Sequence, residues 1–306
     1  MTVSNSGQPT RVLVIDDSAY NRQAIVQMLE SDPGIEVVGR ASNGEEGLKQ
    51  TLALKPDVIT LDLEMPKMDG FTFLRILMNR TPTPVIVISS YSRKQNVFKA
   101  LELGALDFIA KPTRYLSPEL HKIRDELVEK INVVRMLRTP VQPVRFVESR
   151  SRVDDQRTGA SEVVSGTRPD LVVIGASTGG PPALQRLLQM LTRQVPVACL
   201  VAQHMPENFT RAFAERLDRY TGLMVREAAG GEILAPGRVY VAPGGNHLRV
   251  VRRDAELFTE VDRAGEDDKY IPSIDLLFSS AADAVGPRVL AILLTGNAIA
   301  AQKIWT

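Results

Sequence analysis

Between residues 11 and 112 the chain alternates β-branched runs with helix-period stretches. The runs are RVLVIDD (11–17), IEVVGRA (35–41), PDVITLDLEMP (56–66), PVIVISS (84–90) and LDFIAKP (106–112). Continuous apolar strands separated by helices indicate a parallel sheet covered on both faces, since neither face shows the polar alternation of a half-solvated sheet. The pattern therefore predicts an α/β fold, a doubly wound sheet of five βα units. Such a sheet carries its functional groups at the carboxyl ends of its strands.

At those ends stand Asp16 and Asp17, Asp62, Ser89 and Ser90, and Lys111 followed by Pro112. Three clustered carboxylates repel one another, so the arrangement calls for a cation, and all-oxygen donors select Mg²⁺ or a similarly hard ion. One aspartate can then attack a phosphoryl donor while an ammonium and a hydroxyl hold the product's oxygens. Any one of these aspartates alone reads better as a solvated strand end, and it is the five matching positions together that reverse this. Together, VIDDS, LDLEMPKMDG, the hydroxyl ending the fourth strand and the KP after the fifth resemble the receiver domain of response regulators. That resemblance covers residues 11 to about 137 and implies a flavodoxin-like fold. It further implies Asp62 as phospho-acceptor, Asp16 and Asp17 as holders of Mg²⁺ with Asp62, and Lys111 on the acyl phosphate. Ser89 carries the switching hydroxyl and Phe108 falls where the family keeps its switching aromatic.

The expected divisions are a receiver at 10–138, a linker at 139–168 and a second α/β domain at 169–306. The middle stretch is rich in Pro, Ser, Arg, Gly and Thr, and as a coil it would span ~30 Å root-mean-square. With 306 residues, 44% of them hydrophobic, the chain has material for two cores. A net charge of +1 gives no reason to expect a nucleic-acid partner, and no helix-turn-helix pattern is present. The single cysteine, Cys199 in VACLVA, reads as a buried small hydrophobe. No apolar run approaches the ~18 residues of a membrane span and no leader pattern precedes the first strand, so the cytoplasm is the expected location.

In the second half, LVVIGASTGGPP (171–182) admits three readings: a phosphate cradle, a catalytic serine on a tight turn, or a plain strand-to-helix connection. The glycine spacing fits no phosphate-loop or dinucleotide pattern, and Pro181 and Pro182 remove two amide donors where the helix should begin. G-x-S-x-G, from Gly175 to Gly179, fits in its context of strand, turn and helix. An incidental serine in a glycine-rich connection fits as well. The three histidines are His121, His204 and His247. His204 closes the strand VACLVAQH, so it can meet Ser177 across adjacent strand ends as a general base. His247, in APGGNHL after the strand RVYVAP, is a further candidate to line the same cleft and contact substrate.

GASTGG, QHMP, APGGNHL and PSIDLLFSSAA, in this order behind a receiver, resemble the catalytic domain of the chemotaxis protein-glutamate methylesterases, the CheB family. The resemblance implies phosphorylation-regulated hydrolysis of glutamyl methyl esters on chemoreceptors, with deamidation of receptor glutamines. A chemotaxis histidine kinase would be the phosphodonor. Ser177 would be the nucleophile, His204 the general acid/base, and Thr178 would help shape the site; the esterase reaction needs no cofactor. A receiver tethered over the serine cleft would block it until phosphorylated.

The pattern then departs from the family. After VLAILLTG (289–296) the chain reads NAIAAQKIWT, and Ala300 takes the place of the aspartate that orients the histidine. In the serine-protease template, replacing that carboxylate costs about 10⁴ in kcat. Two expectations therefore stand side by side: a regulated esterase, with another carboxylate such as Asp275 substituting, or an impaired regulator that only binds receptor or kinase. VLAILL is expected to be a strand buried on both faces, with a short helix capped by Asn297 covering it.

Overall fold

The computed structural model describes residues 8–90, 94–111, 119–136, 169–191, 195–265, 268 and 270–295, which fall into two compact units. The expected linker at 139–168 and the segment 296–306 lie outside the described residues.

In the first unit five strands and five helices alternate: β1 (Thr10–Ile15), α1 (Ala19–Glu30), β2 (Ile35–Ala41), α2 (Gly44–Leu54), β3 (Val58–Leu61), α3 (Gly70–Arg80), β4 (Val85–Ser90), α4 (Lys94–Glu102), β5 (Asp107–Lys111) and α5 (Glu119–Met136). The strands lie in the order β2-β1-β3-β4-β5, all parallel. Val12 and Val14 pack on one face with Ile25, Val26 and Leu29 of α1 and Leu127 and Ile131 of α5. Local chemistry sets the helix starts. Ser18, Asn43 and Asp69 cap α1, α2 and α3 by accepting from the amides of Asn21, Glu46 and Thr72, satisfying donors that have no partner within the helix. β3 is shorter than the run 56–66, because the chain leaves the sheet at Asp62 for the loop that ends at Gly70. From β1 the chain turns first to β2 on one side and then to β3 on the other, which opens a crevice at their carboxyl ends.

The second unit comprises β6 (Leu171–Ala176), α6 (Gly180–Gln189), β7 (Ala198–Gln203), α7 (Thr210–Tyr220), β8 (Met224–Glu227), β9 (Arg238–Val241), β10 (Asn246–Arg253), β11 (Glu256–Arg263), α8 (Ile274–Val285), a 3-10 turn (Gly286–Arg288) and β12 (Val289–Thr295). Its parallel sheet runs β12-β6-β7-β9-β8, and β10 and β11 form a separate antiparallel hairpin. Leu171, Val173, Leu200, Ala202 and Tyr240 of the sheet meet Leu277, Phe278 and Ala281 of α8 and Leu248 and Val250 of β10 in one core. β12 departs from expectation. It is only part-buried along its length and Leu290 is 46% exposed, because among the described residues it is an edge strand paired with β6 alone. The helix expected to cover it, over Asn297 and its followers, lies outside the described residues.

Candidate active sites

Ile15 of β1 pairs with Leu61 of β3, so Asp16 and Asp62 leave the sheet side by side. Both are buried. Lys111, at the end of β5, reaches across to them, its Nζ 2.8 Å from Asp16 Oδ2 and 2.5 Å from Asp62 Oδ2. One oxygen from each of Asp16, Asp17 and Asp62 falls within a span of 4.8 Å. Burial pushes the carboxyls of Asp16 and Asp62 above the usual range despite the nearby lysine. For Lys111 burial works downward, yet the two carboxylates hold its ammonium above the ordinary lysine value. Three oxygen donors so close, two of them poorly hydrated, fit a small hard cation such as Mg²⁺. The glycine of LEMPKMDG has a steric reason: a Cβ on Gly70 would lie 2.5 Å from the Asp62 carbonyl oxygen and 2.7 Å from Leu63 Cα.

Ser89 and Phe108 are also buried, on β4 and β5. Arg22 was not legible as part of this site. Its Nη1 donates to the carbonyls of Asp16 at 2.6 Å and Asp17 at 3.3 Å, pinning the acidic pair from α1. The arginine of an amphipathic helix reads as surface until the fold brings it under the β1 exit.

In the second unit β6 lies between β12 and β7. Ala176 pairs with Gln203, so Ser177 and His204 follow at neighbouring exits, and His204 Nδ1 lies 3.0 Å from Ser177 Oγ. The glycines of G-x-S-x-G do separate work. A Cβ on Gly175 would fall 2.4 Å from Ile274 Cγ2, so the first glycine lets the start of α8 cross β6. Gly179 takes φ +75 and supplies the left-handed step that an L side chain resists. The serine itself needs no such backbone. Pro181 and Pro182 sit in the first turn of α6, where a missing amide donor costs nothing.

A second loop supports the histidine. A Cβ on Gly244 would come within 2.3 Å of Glu207 Cα, so the Pro243–Gly245 bend presses directly on the chain just after His204. Tyr270 stacks on the His204 ring, with centroids 5.4 Å apart and planes 11° from parallel. Gln203 is buried, and its Nε2 donates to the carbonyls of Ser177 and His204. Neither residue was found from the sequence. A glutamine closing the otherwise apolar strand ACLVAQ was the available signal; Tyr270 carries none.

His247 has partners of its own. It is buried on β10 with both ring nitrogens engaged: Nδ1 accepts from the Ser273 amide at 2.9 Å, so Nε2 carries the proton and donates to Asp268 Oδ2 at 2.9 Å. With no nitrogen left for substrate, it holds the cap of α8. That hydrogen bond, with one from the Gly265 amide, keeps the Asp268 carboxyl below its ordinary pKa. Thr178 is buried beside the serine in sequence, and Asp275 sits in the first turn of α8. The side chain of His121 and the position of Ala300 lie outside the described residues.

Residues 172–298 match the CheB methylesterase family and residues 12–122 the response regulator receiver domain. A protein-glutamate methylesterase/protein-glutamine glutaminase of Geobacter sulfurreducens is 49% identical over 301 residues, spanning 94% of this chain and 81% of that protein. The chain belongs to the CheB family. A second such enzyme, from Myxococcus xanthus, is 50% identical over 285 residues, spanning 93% of this CheB-family chain and 79% of its relative. The CheB methylesterase catalytic domain of Thermotoga maritima is 37% identical, with a TM-score of 0.41 over 42% of this chain and 69% of that one. The chain thus carries a response regulator receiver domain followed by a CheB methylesterase domain. Among the described residues no helix is long and apolar enough to cross a membrane.

Proposed function

We propose that the second unit hydrolyses glutamate methyl esters on chemoreceptors and deamidates receptor glutamines, and that phosphorylation of Asp62 regulates it. The observation that carries the reading is the 3.0 Å approach of Ser177 Oγ to His204 Nδ1. With its proton on Nε2, His204 accepts the serine proton at Nδ1 as Oγ attacks the ester carbonyl carbon. The tetrahedral adduct collapses by breaking the bond to the methoxy oxygen, which takes the proton from Nδ1 and leaves as methanol. Water, activated by the same nitrogen, then cleaves the acyl-serine to carboxylate and restores the hydroxyl. With a glutamine side chain the leaving group is ammonia and the remaining steps are unchanged.

In the receiver, Asp62 is the nucleophile toward a phosphodonor, a histidine kinase in the cell. Asp16, Asp17 and Asp62 would hold Mg²⁺, which when bound supplies positive charge to the phosphoryl oxygens. Lys111 provides a second cation on the same face, and Ser89 and Phe108 are the residues whose repacking would report the phosphoryl group. Buried carboxylates already paired to one ammonium make the site sensitive to added negative charge.

The competing reading, a regulator that binds without hydrolysing, rests on Ala300 in the place of an orienting aspartate. One assay separates the two. Methanol release from methylated receptor should fall at least ~10³-fold in His204→Gln, and Asp62→Asn should remove stimulation by a phosphodonor while leaving the basal rate. Release indifferent to both substitutions would end the proposal.

A further inference from the structure

The backbone ladder between β6 and β7 ends with the His204 amide donating to the Ala176 carbonyl at 3.1 Å. Beyond that rung Ser177 and His204 lie outside the strands, and Gln203 continues the connection with its side chain. Its Nε2 donates to the Ser177 carbonyl at 3.0 Å and to the His204 carbonyl at 2.9 Å. Both partners are acceptors, so only the amide nitrogen can face them. On its other flank the Ser177 amide donates to the Thr295 carbonyl of β12 at 3.0 Å, so Gln203 is a side chain that ties the serine backbone to the histidine backbone beyond the last rung of the ladder.

The carboxamide is retained at a cost. Gln203 is 1% exposed, and its Oε1 has no hydrogen-bond partner among the described residues. An unsatisfied buried acceptor disfavours folding, so a polar residue here is explained by what its donors do. An apolar side chain at the end of an otherwise apolar strand would avoid the penalty.

We infer that Gln203 is a positioning residue for ester hydrolysis, acting through the backbones of Ser177 and His204 to set the separation of their reacting atoms. The inference rests on the reading of those two residues as nucleophile and base. Its consequence lies in kcat rather than KM, because a misplacement of about 1 Å costs on the order of 10²-fold in rate while the receptor-binding surface is unchanged.

The test uses the full chain and methylated receptor. Gln203→Met preserves length and removes both donors. It should lower kcat by ~30- to 100-fold, leave KM within about twofold, and leave amide-exchange protection along β6 and β7 as in the wild type. A kcat within about threefold of wild type would overturn the inference. So would a loss of protection along both strands, which would make Gln203 a folding residue. Gln203→Glu gives an independent reading: ionised, the new carboxyl opposes two carbonyls, but protonated it donates to one of them. Activity relative to wild type should therefore rise as pH falls, and a constant ratio across the profile would count against the inference. Ser177→Ala is the parallel control. If it stays active the catalytic reading itself fails, whereas an inactive Ser177→Ala beside a fully active Gln203→Met removes only the role of Gln203.

Discussion

Gly175→Ala should be destabilising even though alanine ordinarily improves on glycine in a strand. At an unstrained position, glycine to alanine stabilises by about 0.4–1 kcal/mol through the unfolded chain, and the φ of Gly175 is not in the left-handed region. The added Cβ, however, would lie 2.4 Å from Ile274 Cγ2 and 3.2 Å from its Cγ1 and Cδ1. Carbon atoms settle at ~3.5–4.0 Å, so Ile274 must retreat by roughly 1.4 Å. It is buried and is the first residue of α8, so the helix start moves with it. Overpacking of this kind costs about 1–3 kcal/mol, which set against the alanine gain of about 0.4–1 kcal/mol leaves a net loss of up to about 2.6 kcal/mol, centred near about 1.3 kcal/mol. Ser177 is two residues away, and kcat should fall with the displaced turn. Ile274→Ala alone should cost about 2–5 kcal/mol through the cavity it leaves. In the double variant the new methyl enters the vacated space, so the two effects should fall short of their sum by about 1–3 kcal/mol. Denaturant-dependent amide exchange along β6 in the full chain gives all three values. Additive losses, or a Gly175→Ala chain more stable than wild type, would refute the steric argument.

Gly70→Ala should reduce phosphodonor-driven labelling of Asp62 by at least tenfold, because its Cβ meets the Asp62 carbonyl oxygen at 2.5 Å and Leu63 Cα at 2.7 Å, backbone that has nowhere to yield; labelling at the wild-type rate would contradict this. Burial pushes the Cys199 thiol up to about 11, so a disulfide reagent at pH 8 should label it only after unfolding, and prompt labelling of the native chain would show the strand to be open. His247→Leu leaves the Ser273 amide and the Asp268 carboxylate without the imidazole, and loss of the amide's partner should cost about 1–3 kcal/mol. In the same variant the Asp268 carboxyl should return toward its ordinary pKa of 3.8. A depressed carboxyl stabilises above its unfolded pKa and loses that contribution as pH falls through the folded value, so this part of the deficit should vanish in acid. An NMR titration that leaves Asp268 unmoved would remove the assigned cause.

Most of the first unit was legible because its strands are apolar without alternation and each ends in residues that an ordinary core does not place there. Asp16, Asp62 and Lys111 could be grouped before any fold was known, since a doubly wound sheet has only one edge at which strand ends converge. The Ser177 and His204 pairing followed from the same rule. What the sequence hid depends on contacts between distant segments. Gly175 answers to Ile274 and Gly244 to Glu207, pairings with no local signature. His247 read as a cleft residue because its partners, Ser273 and Asp268, are more than twenty residues on. The exposure of Leu290 reflects strand order: an apolar run is the same whether its sheet continues on one side or on both.

The central claim is tested most directly by methanol release from methylated chemoreceptor, measured on the wild-type chain and Ser177→Ala, each with and without a small phosphodonor and Mg²⁺. Release by the wild type that the phosphodonor raises, and that falls to background in Ser177→Ala under both conditions, is the predicted result. Equal release by the two chains, or none from folded wild type with or without phosphodonor, would contradict the account.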